Sequence, residues 1–337
     1  MAKKKKKVAV KGPDSVGTKQ RPVHTEILVR PIHRGVNDIG SWRSALRLAD
    51  LGNRTKLYDL FTDLLIDGYL SDAIDKRIDA VTDADLAFTI DGKQVDEMDA
   101  LMDTPEFESL LREIMLSRFW GVSLVECLFL DGFGFKSIPR KHIRTKTKEI
   151  AIREEDEHGI PYADNDLIIQ FGSDDDFGIL LRAAPFVIYK RGGFGDWAQF
   201  VELFGMPQRI GKYSSMDEQS RRALIQAFEE AGSAPYLVIP KETEATQTTL
   251  SSSGNGALYN DFRNACNEEI LITVLGQTMT TQDGSSLAQG QVHMAVQEKK
   301  HRADRRFVER MLNKYFVPLL EKRGYPAGGG RFKFLDK

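Results

Sequence analysis

Cysteine is nearly missing from this chain: Cys127 and Cys266 are the two among 337 residues. Both sit inside apolar stretches, which excludes a disulfide framework, makes no zinc site, and predicts reduced, buried thiols. Long apolar runs are missing too, since no stretch approaches the roughly 20 residues that a membrane helix requires. The lysines at positions 3–7 are followed by no apolar core, so the start does not read as a secretory signal. Charge of one sign is not in excess: 47 Lys and Arg face 49 Asp and Glu, a net charge of −2. Such a balance gives no global attraction to nucleic acid or acidic lipid, and contacts of that kind must come from local patches. The chain is expected to stay in the compartment where it is made.

The motifs of catalysis are equally sparse. His24 and His33 fall in a Pro- and Gly-containing N-terminal segment, and His142 and His158 fall in charged loops. His301 and Asp304 stand three residues apart on one helix and could face one ion, but no third ligand accompanies them. The run Gly192-Gly193-Phe194-Gly195 follows Lys190-Arg191 yet lacks phosphate-loop spacing, so it reads as a helix break or a tight packing site. Gly284-Ser285-Ser286 is not framed as a nucleophile elbow. Nothing in the residues calls for a metal, a cofactor or a catalytic group.

What is present is periodicity. Residues 1–40 read as a flexible basic arm. Leu57, Leu60, Phe61 and Leu64 predict one amphipathic helix, and Leu70, Ile74 and Ile78 predict the next, after a break at Gly68. Residues 87–90 read as a strand entering a turn at Asp91-Gly92. Thr104 is placed as N-cap and Pro105 in the first turn of a helix carrying Phe107, Leu110, Leu111 and Ile114. Residues 122–129 are core, strand or helix end. Residues 136–148 are rich in Lys and Arg and are followed by the acidic clusters 154–157 and 174–176, a signed patchwork suited to a solvated β-meander.

Helical pattern then resumes, with Trp197, Phe200, Val201 and Phe204 as an apolar stripe that stops at Gly205-Met206-Pro207. A strand follows, then a helix opened by a capping box at Ser215 and Glu218, then a strand closed by Pro240, which together read as a small αβ insertion over 206–250. A further helix ends at Gly276 and leads into a polar loop, GQTMTTQDGSSLAQG. The last long helix carries Val292, Val296, Ala303, Phe307, Met311, Phe316 and Leu319 and bends near Pro318.

The segment DWAQFVELFGMPQRIGKY at 196–213, taken with EEILITVLGQTMTTQDGSSLAQGQVH further on, resembles the portal proteins of Mu-like tailed bacteriophages. The likeness extends over roughly residues 40–320. It implies an α+β, mostly helical portal fold with a wing, a two-helix stem, a small αβ clip and a tunnel loop. Carried onto this sequence, it implies an arm over 1–40, a wing over 41–182, a first stem helix over 183–205 and a clip over 206–250. A second stem helix over 251–276, a tunnel loop over 277–290, a long wing helix over 291–321 and a C-terminal tail over 322–337 complete the division.

The resemblance further implies a non-enzymatic homo-oligomeric ring, commonly of twelve subunits, at the capsid vertex. Its partners would be double-stranded DNA, the large terminase subunit, a head–tail adaptor and the major capsid and scaffold proteins, with no membrane. Channel-facing candidates are Gln277, Thr278, Thr280, Thr281, Gln282, Ser285, Ser286 and Gln289. Docking candidates on the clip are Gln208, Arg209, Lys212, Arg221 and Arg222, and stem-packing candidates are Trp197, Phe200, Phe204 and Phe262. Two other classes remain open on the residues: a nucleic-acid-processing enzyme with 136–148 as binding strip and Asp174, Asp175 and Asp176 holding metal, and a scaffold or adaptor without a pore.

Overall fold

A computed structural model describes residues 22–29, 38–129, 132–204, 209–214, 216–230, 236–241, 252–277 and 287–335. The fold is mostly helical α+β and divides into two compact units, Ile188–Asn267 and the remainder of the chain.

The larger unit opens with three helices whose starts follow from local hydrogen bonding. Helix α1 (Ile39–Asp50) is capped by Asp38, whose side chain accepts from the Ser41 amide at 2.6 Å. Helix α2 is Thr55–Leu64, and α3 (Gly68–Thr82) is capped by Asp67 through the Leu70 amide at 3.1 Å. Such caps satisfy amide groups that the first helical turn leaves without partners. Strands β1 (Leu86–Ile90) and β2 (Lys93–Gln94) pair through a two-residue turn in which Asp91 and Gly92 have φ of 50° and 78°. Positive φ at both positions matches the twist of a hairpin, as the Asp-Gly pair predicts.

Helix α4 (Asp96–Met102) precedes α5 (Pro105–Trp120), where Thr104 caps the Phe107 amide at 3.2 Å and Pro105 occupies the first turn as expected. The apolar run after Gly121 is strand β3 (Val122–Leu128), buried along nearly its whole length. It lies between antiparallel β4 (Gly134–Ile138) and β8 (Ile168–Gly172). Short strands β5 (Ile143–Arg144), β6 (Glu149–Ile150) and β7 (Ile160–Pro161) form a second antiparallel sheet. Gly121, at φ 89°, ends α5 against the Asp176 carbonyl, and a Cβ there would lie 2.1 Å from that oxygen.

Helix α6 is Leu180–Phe204, and it runs unbroken through the glycine cluster that the sequence suggested as an interruption. In the smaller unit it is followed by β9 (Arg209–Tyr213), α7 (Glu218–Glu230), β10 (Tyr236–Pro240) and α8 (Ser252–Leu275). The last long helix, α9 (Leu287–Met311), passes through a π-helical turn, Leu312–Phe316, into α10 (Val317–Lys322). The irregularity expected near Pro318 takes the form of this π-helical turn just before the proline, where the wider carbonyl spacing accommodates the ring.

Residues 322–337, read as a tail, contain strand β11 (Arg331–Phe334), which pairs antiparallel with β1, Phe88 facing Phe332 in register. The two rings lie 4.9 Å apart, and Phe332 also stacks on Phe107 at 5.7 Å. Phe316 joins the same cluster through Phe107 and Phe133. The chain end thus closes part of the core. Within the segment read as an arm, Val23–Thr25 forms a 3-10 turn docked on β3. Glu126 accepts from the amides of Val23 at 2.8 Å and His24 at 3.0 Å, and its carboxylate lies 2.5 Å from His24 Nδ1.

Candidate functional site

Four regions carry the residues that the sequence singled out. In the smaller unit, β9 and β10 run parallel, Ile210 opposite Leu237 and Gly211 opposite Val238, with α7 as the crossover. Helix α7 covers the strand pair with Leu224 and Phe228: a Cβ on buried Gly211 would lie 2.9 Å from the Phe228 ring, so glycine lets the helix settle. The helix cap is Asp217, which accepts from the Ser220 amide at 2.9 Å, while the predicted capping residue Ser215 lies outside the described residues. Bonds from Ser220 hold the Asp217 carboxyl below its ordinary range.

Among the docking candidates, Lys212 is exposed and lines a shallow cleft with Asp217, Ser220 and Lys241. Arg221 grips Glu218 with Nε at 2.9 Å and Nη2 at 2.7 Å, and Arg222 approaches the same carboxylate at 3.7 Å. Arg221 and Arg222 are thus brought together around one acid. Gln208 and the side chain of Arg209 lie outside the described residues.

Within the same unit α6 and α8 run antiparallel. Lys190 Nζ donates to Asn267 Oδ1 at 2.8 Å, and Phe200 meets Tyr259 with centroids 5.8 Å apart. A Cβ on Gly193 would stand 3.0 Å from the Phe262 ring, so the glycine cluster serves close helix packing rather than a break. Phe262 nevertheless remains 44% exposed, Phe194 43% and Leu258 67%. Trp197 packs on Phe194 at 6.0 Å. The side chain of Phe204 lies outside the described residues.

The third region is the root of the polar loop. Thr278, Thr280, Thr281, Gln282, Ser285 and Ser286 lie outside the described residues, as does the side chain of Gln289. Gln277 is buried and donates through Nε2 to Gln297 Oε1 at 3.0 Å. Just before it, Gly276 turns left-handed at φ 82° and its amide closes α8 on the carbonyls of Leu271 and Ile272. This is the glycine-terminated helix end that relieves unpaired carbonyls.

A buried charge cluster holds that end in place. Arg77 of α3 forks onto Asp304 of α9, Nε to Oδ2 at 2.8 Å and Nη2 to Oδ1 at 2.7 Å, and donates Nη1 to the Val274 carbonyl at 2.9 Å. Arg118 adds a contact to Asp304 at 3.3 Å and lies over Phe307. Lys300 Nζ reaches the Val274 carbonyl at 3.3 Å. Burial pushes its pKa down to about 8, with Arg77, Arg182 and Arg118 adding repulsion against the pull of Asp304. Both Arg77 and Asp304 are almost fully buried, and a fork of this kind is the geometry in which a buried ion pair is satisfied.

Asp304, considered from sequence beside His301 as an ion ligand, is therefore taken up by two arginines. His301 has its pKa lowered, chiefly by burial. The Arg77–Asp304 pair was not foreseen. Its sequence signal is one charge in the apolar stripe of each of two amphipathic helices.

Most of the basic stretch 136–148 is engaged internally, while Lys136 stays exposed. Arg140 bonds Glu113 and Ser123, and Arg144 donates to the carbonyls of Lys141, Glu154 and Asp156. Lys146 donates to the Asp50 carbonyl, and Lys148 bonds Asp174. Asp174 also accepts from Gln170 at 2.8 Å, and Asp176 bonds the Gly178 amide. Lys148, Gln170 and Asp174 line a cleft of about 590 Å³ with Lys314 and Lys322. Among the described residues, no group of three or more His, Cys, Asp or Glu is arranged to hold a metal, and no helix is long and apolar enough to cross a membrane.

Comparison with known proteins gives this arrangement a family. Residues 58–337 match the family described as the portal protein of Mu bacteriophage. The portal protein of Escherichia phage Mu is 29% identical over 140 residues, covering 40% of this chain and 27% of that protein. The Mu-like prophage FluMu protein gp29 of Haemophilus influenzae is 29% identical over 124 residues, covering 36% of this chain and 24% of that protein. The aligned stretches thus span about a quarter of the length of those relatives. With the family match running through the greater part of the chain, from α2 to the C-terminus, this protein belongs to the portal protein family of Mu-like bacteriophages.

Proposed function

We propose that this chain is the subunit of a ring, commonly of twelve copies, at one vertex of a phage capsid, and that double-stranded DNA passes through the ring during packaging and ejection. The observation that carries the reading is the family match, and the order of elements within it supports it. The family match contains two antiparallel helices, α6 and α8, around a compact β9–α7–β10 insertion, followed by a polar segment and the long helix α9. In this assignment α6 and α8 are the stem, 206–250 the clip, 277–290 the tunnel loop, and 41–182 with 291–321 the wing. The role is structural rather than enzymatic, in the virion and, during assembly, in the host cytoplasm.

Physical chemistry supports a channel role for 277–290. The segment contains a single charged residue, Asp283, beside Thr, Gln and Ser. A wall past which DNA slides must avoid tight phosphate clamps, because each neutralised phosphate adds a salt-dependent share of binding. The clip, with Gln208, Arg209, Lys212, Arg221 and Arg222, is assigned to docking of the large terminase subunit and then the head–tail adaptor. Trp197, Phe200, Phe204 and Phe262 are assigned to stem packing. The major capsid and scaffold proteins are the remaining partners.

Negative-stain imaging of the full chain, alone and co-expressed with its scaffold protein, tests the ring. Class averages with a central hole are expected. Compact monomers across all salt and protein concentrations, with scaffold present, would sink the reading. Deleting 279–288 is expected to leave rings intact while DNA packaging or retention falls, and normal packaging would remove the channel role from this loop.

A further inference from the structure

Helices α3 and α9 carry exposed charge of opposite sign in the same pattern. On α3 and its C-terminal cap the carboxylates are Asp72, Asp75, Asp79 and Asp83, at i, i+3, i+7 and i+11, all exposed. On α9 the cations are Lys299, Arg302, Arg306 and Arg310, at i, i+3, i+7 and i+11, all exposed. The buried Arg77–Asp304 fork joins the two helices on their inner faces. Arg77 stands five residues after Asp72, as Asp304 stands five after Lys299. At about 100° per residue, every member of each row lies roughly 120–160° round its helix from the fork. The acidic row therefore points away from α9 and the basic row away from α3, on opposite sides of one rigid pair.

The basic row is not neutralised from within, and the acidic row only in part. Among the described residues no carboxylate lies within ion-pair distance of Lys299, Arg302, Arg306 or Arg310. Glu298 is engaged by Arg305, and Glu309 accepts from the Phe334 amide at 2.7 Å. On the acidic side Lys76 meets Asp72 at 2.7 Å, and Arg112 meets Asp75 at 2.8 Å and Asp79 at 3.8 Å. Two cations thus face four carboxylates. Asp83 also shares a cleft with Asp99, Asp103 and Glu108, which extends the acidic face.

We infer that the acidic row of one copy of this chain docks on the basic row of the next, forming the subunit contact of the ring. Two different, mutually complementary patches on opposite sides of one subunit make a head-to-tail contact, which closes into a ring when the rotation between copies permits. Complementary rows also orient the approach and disfavour like faces meeting. This inference rests on the ring reading and names the surface that reading needs.

The test uses full-length chains reversed on one side only, Asp75→Arg with Asp79→Arg, and Arg302→Glu with Arg306→Glu. Circular dichroism and the melting temperature check that each folds as the wild type does. Sedimentation is expected to show each variant alone associating at least about a hundredfold more weakly, because like charges then oppose one another. An equimolar mixture is expected to regain assembly with the two variants alternating. Wild-type rings alongside equally assembled variants, or a mixture that stays monomeric, would overturn the pairing and leave the ring reading standing. A wild-type chain that never assembles would overturn both. A loss of short-duplex DNA binding on reversing α9, with assembly unchanged, would give the basic row to nucleic acid and likewise overturn the pairing.

Discussion

The two units of this protein differ in how completely one chain satisfies them. The larger unit buries charge and pairs it: Arg77 with Asp304, Arg144 with three carbonyls, Glu126 with the docked turn at Val23–Thr25. The smaller unit leaves apolar surface open, with Tyr189, Phe194, Val201, Leu258 and Phe262 exposed and no buried side chain on α7. Large exposed aromatic and aliphatic groups in one region are what a surface covered by another molecule retains. The larger unit thus completes its own core and leaves charged rows on α3 and α9 at its surface, whereas the smaller one leaves a concentration of aromatic and aliphatic side chains exposed.

That contrast can be broken most forcefully at the charge cluster. Asp304→Ala should cost about 3–5 kcal/mol in urea unfolding, because it strands the buried Arg77 guanidinium, whereas removing both partners with apolar residues should cost far less. A loss below 1 kcal/mol, on the order of a surface change, would refute the buried fork. Next comes the chain end. Phe332→Ala should destabilise by about 3–5 kcal/mol, since a ring stacked on Phe88 and Phe107 is removed from the core. An unaltered unfolding midpoint would return 331–334 to the status of a tail.

The pH dependence of Lys300 gives a third, smaller effect. Its folded pKa, about 8, lies below its ordinary 10.5, so the folded state binds fewer protons between those values. Stability contributed at this site therefore rises as pH climbs from about 8 to 10.5 and is flat below 8. Urea midpoints of wild type minus Lys300→Met, taken at successive pH values, should shift in favour of wild type over that window. A constant difference would show that Lys300 is not held beside Arg77.

The smallest effect belongs to the open surface. Leu258→Ser should alter the melting temperature of dissociated protein by the equivalent of no more than about 0.5 kcal/mol, while weakening assembly. A large loss of monomer stability would place Leu258 in a core and erase the contrast between the units.

Much of the architecture was legible in residues that act locally. Thr104-Pro105, Asp91-Gly92 and the apolar run of β3 specify a cap, a turn and a buried strand through short-range sterics and hydrogen bonding. Both cysteines were expected to be buried free thiols and are, Cys127 with its pKa raised to about 12, chiefly by burial. The glycine cluster at 192–195 left a helix break and a tight packing site both open, because the partner that decides for packing, Phe262, is some seventy residues away on another helix. The basic stretch 136–148 looked available to a polyanion because its carbonyl and carboxylate partners are set by the fold.

By itself the sequence determined the helix periods, the caps and turns, the polar character of 277–290 and the motif that carries the family. Each depends on neighbours within about one helical turn or on residue order alone. Tertiary structure alone decided which charges are buried against each other, that residues 331–334 complete a sheet begun at Leu86, and that the rows on α3 and α9 point in opposite directions. Those outcomes depend on which distant faces come into contact, and a one-dimensional pattern leaves that choice open until the core packs.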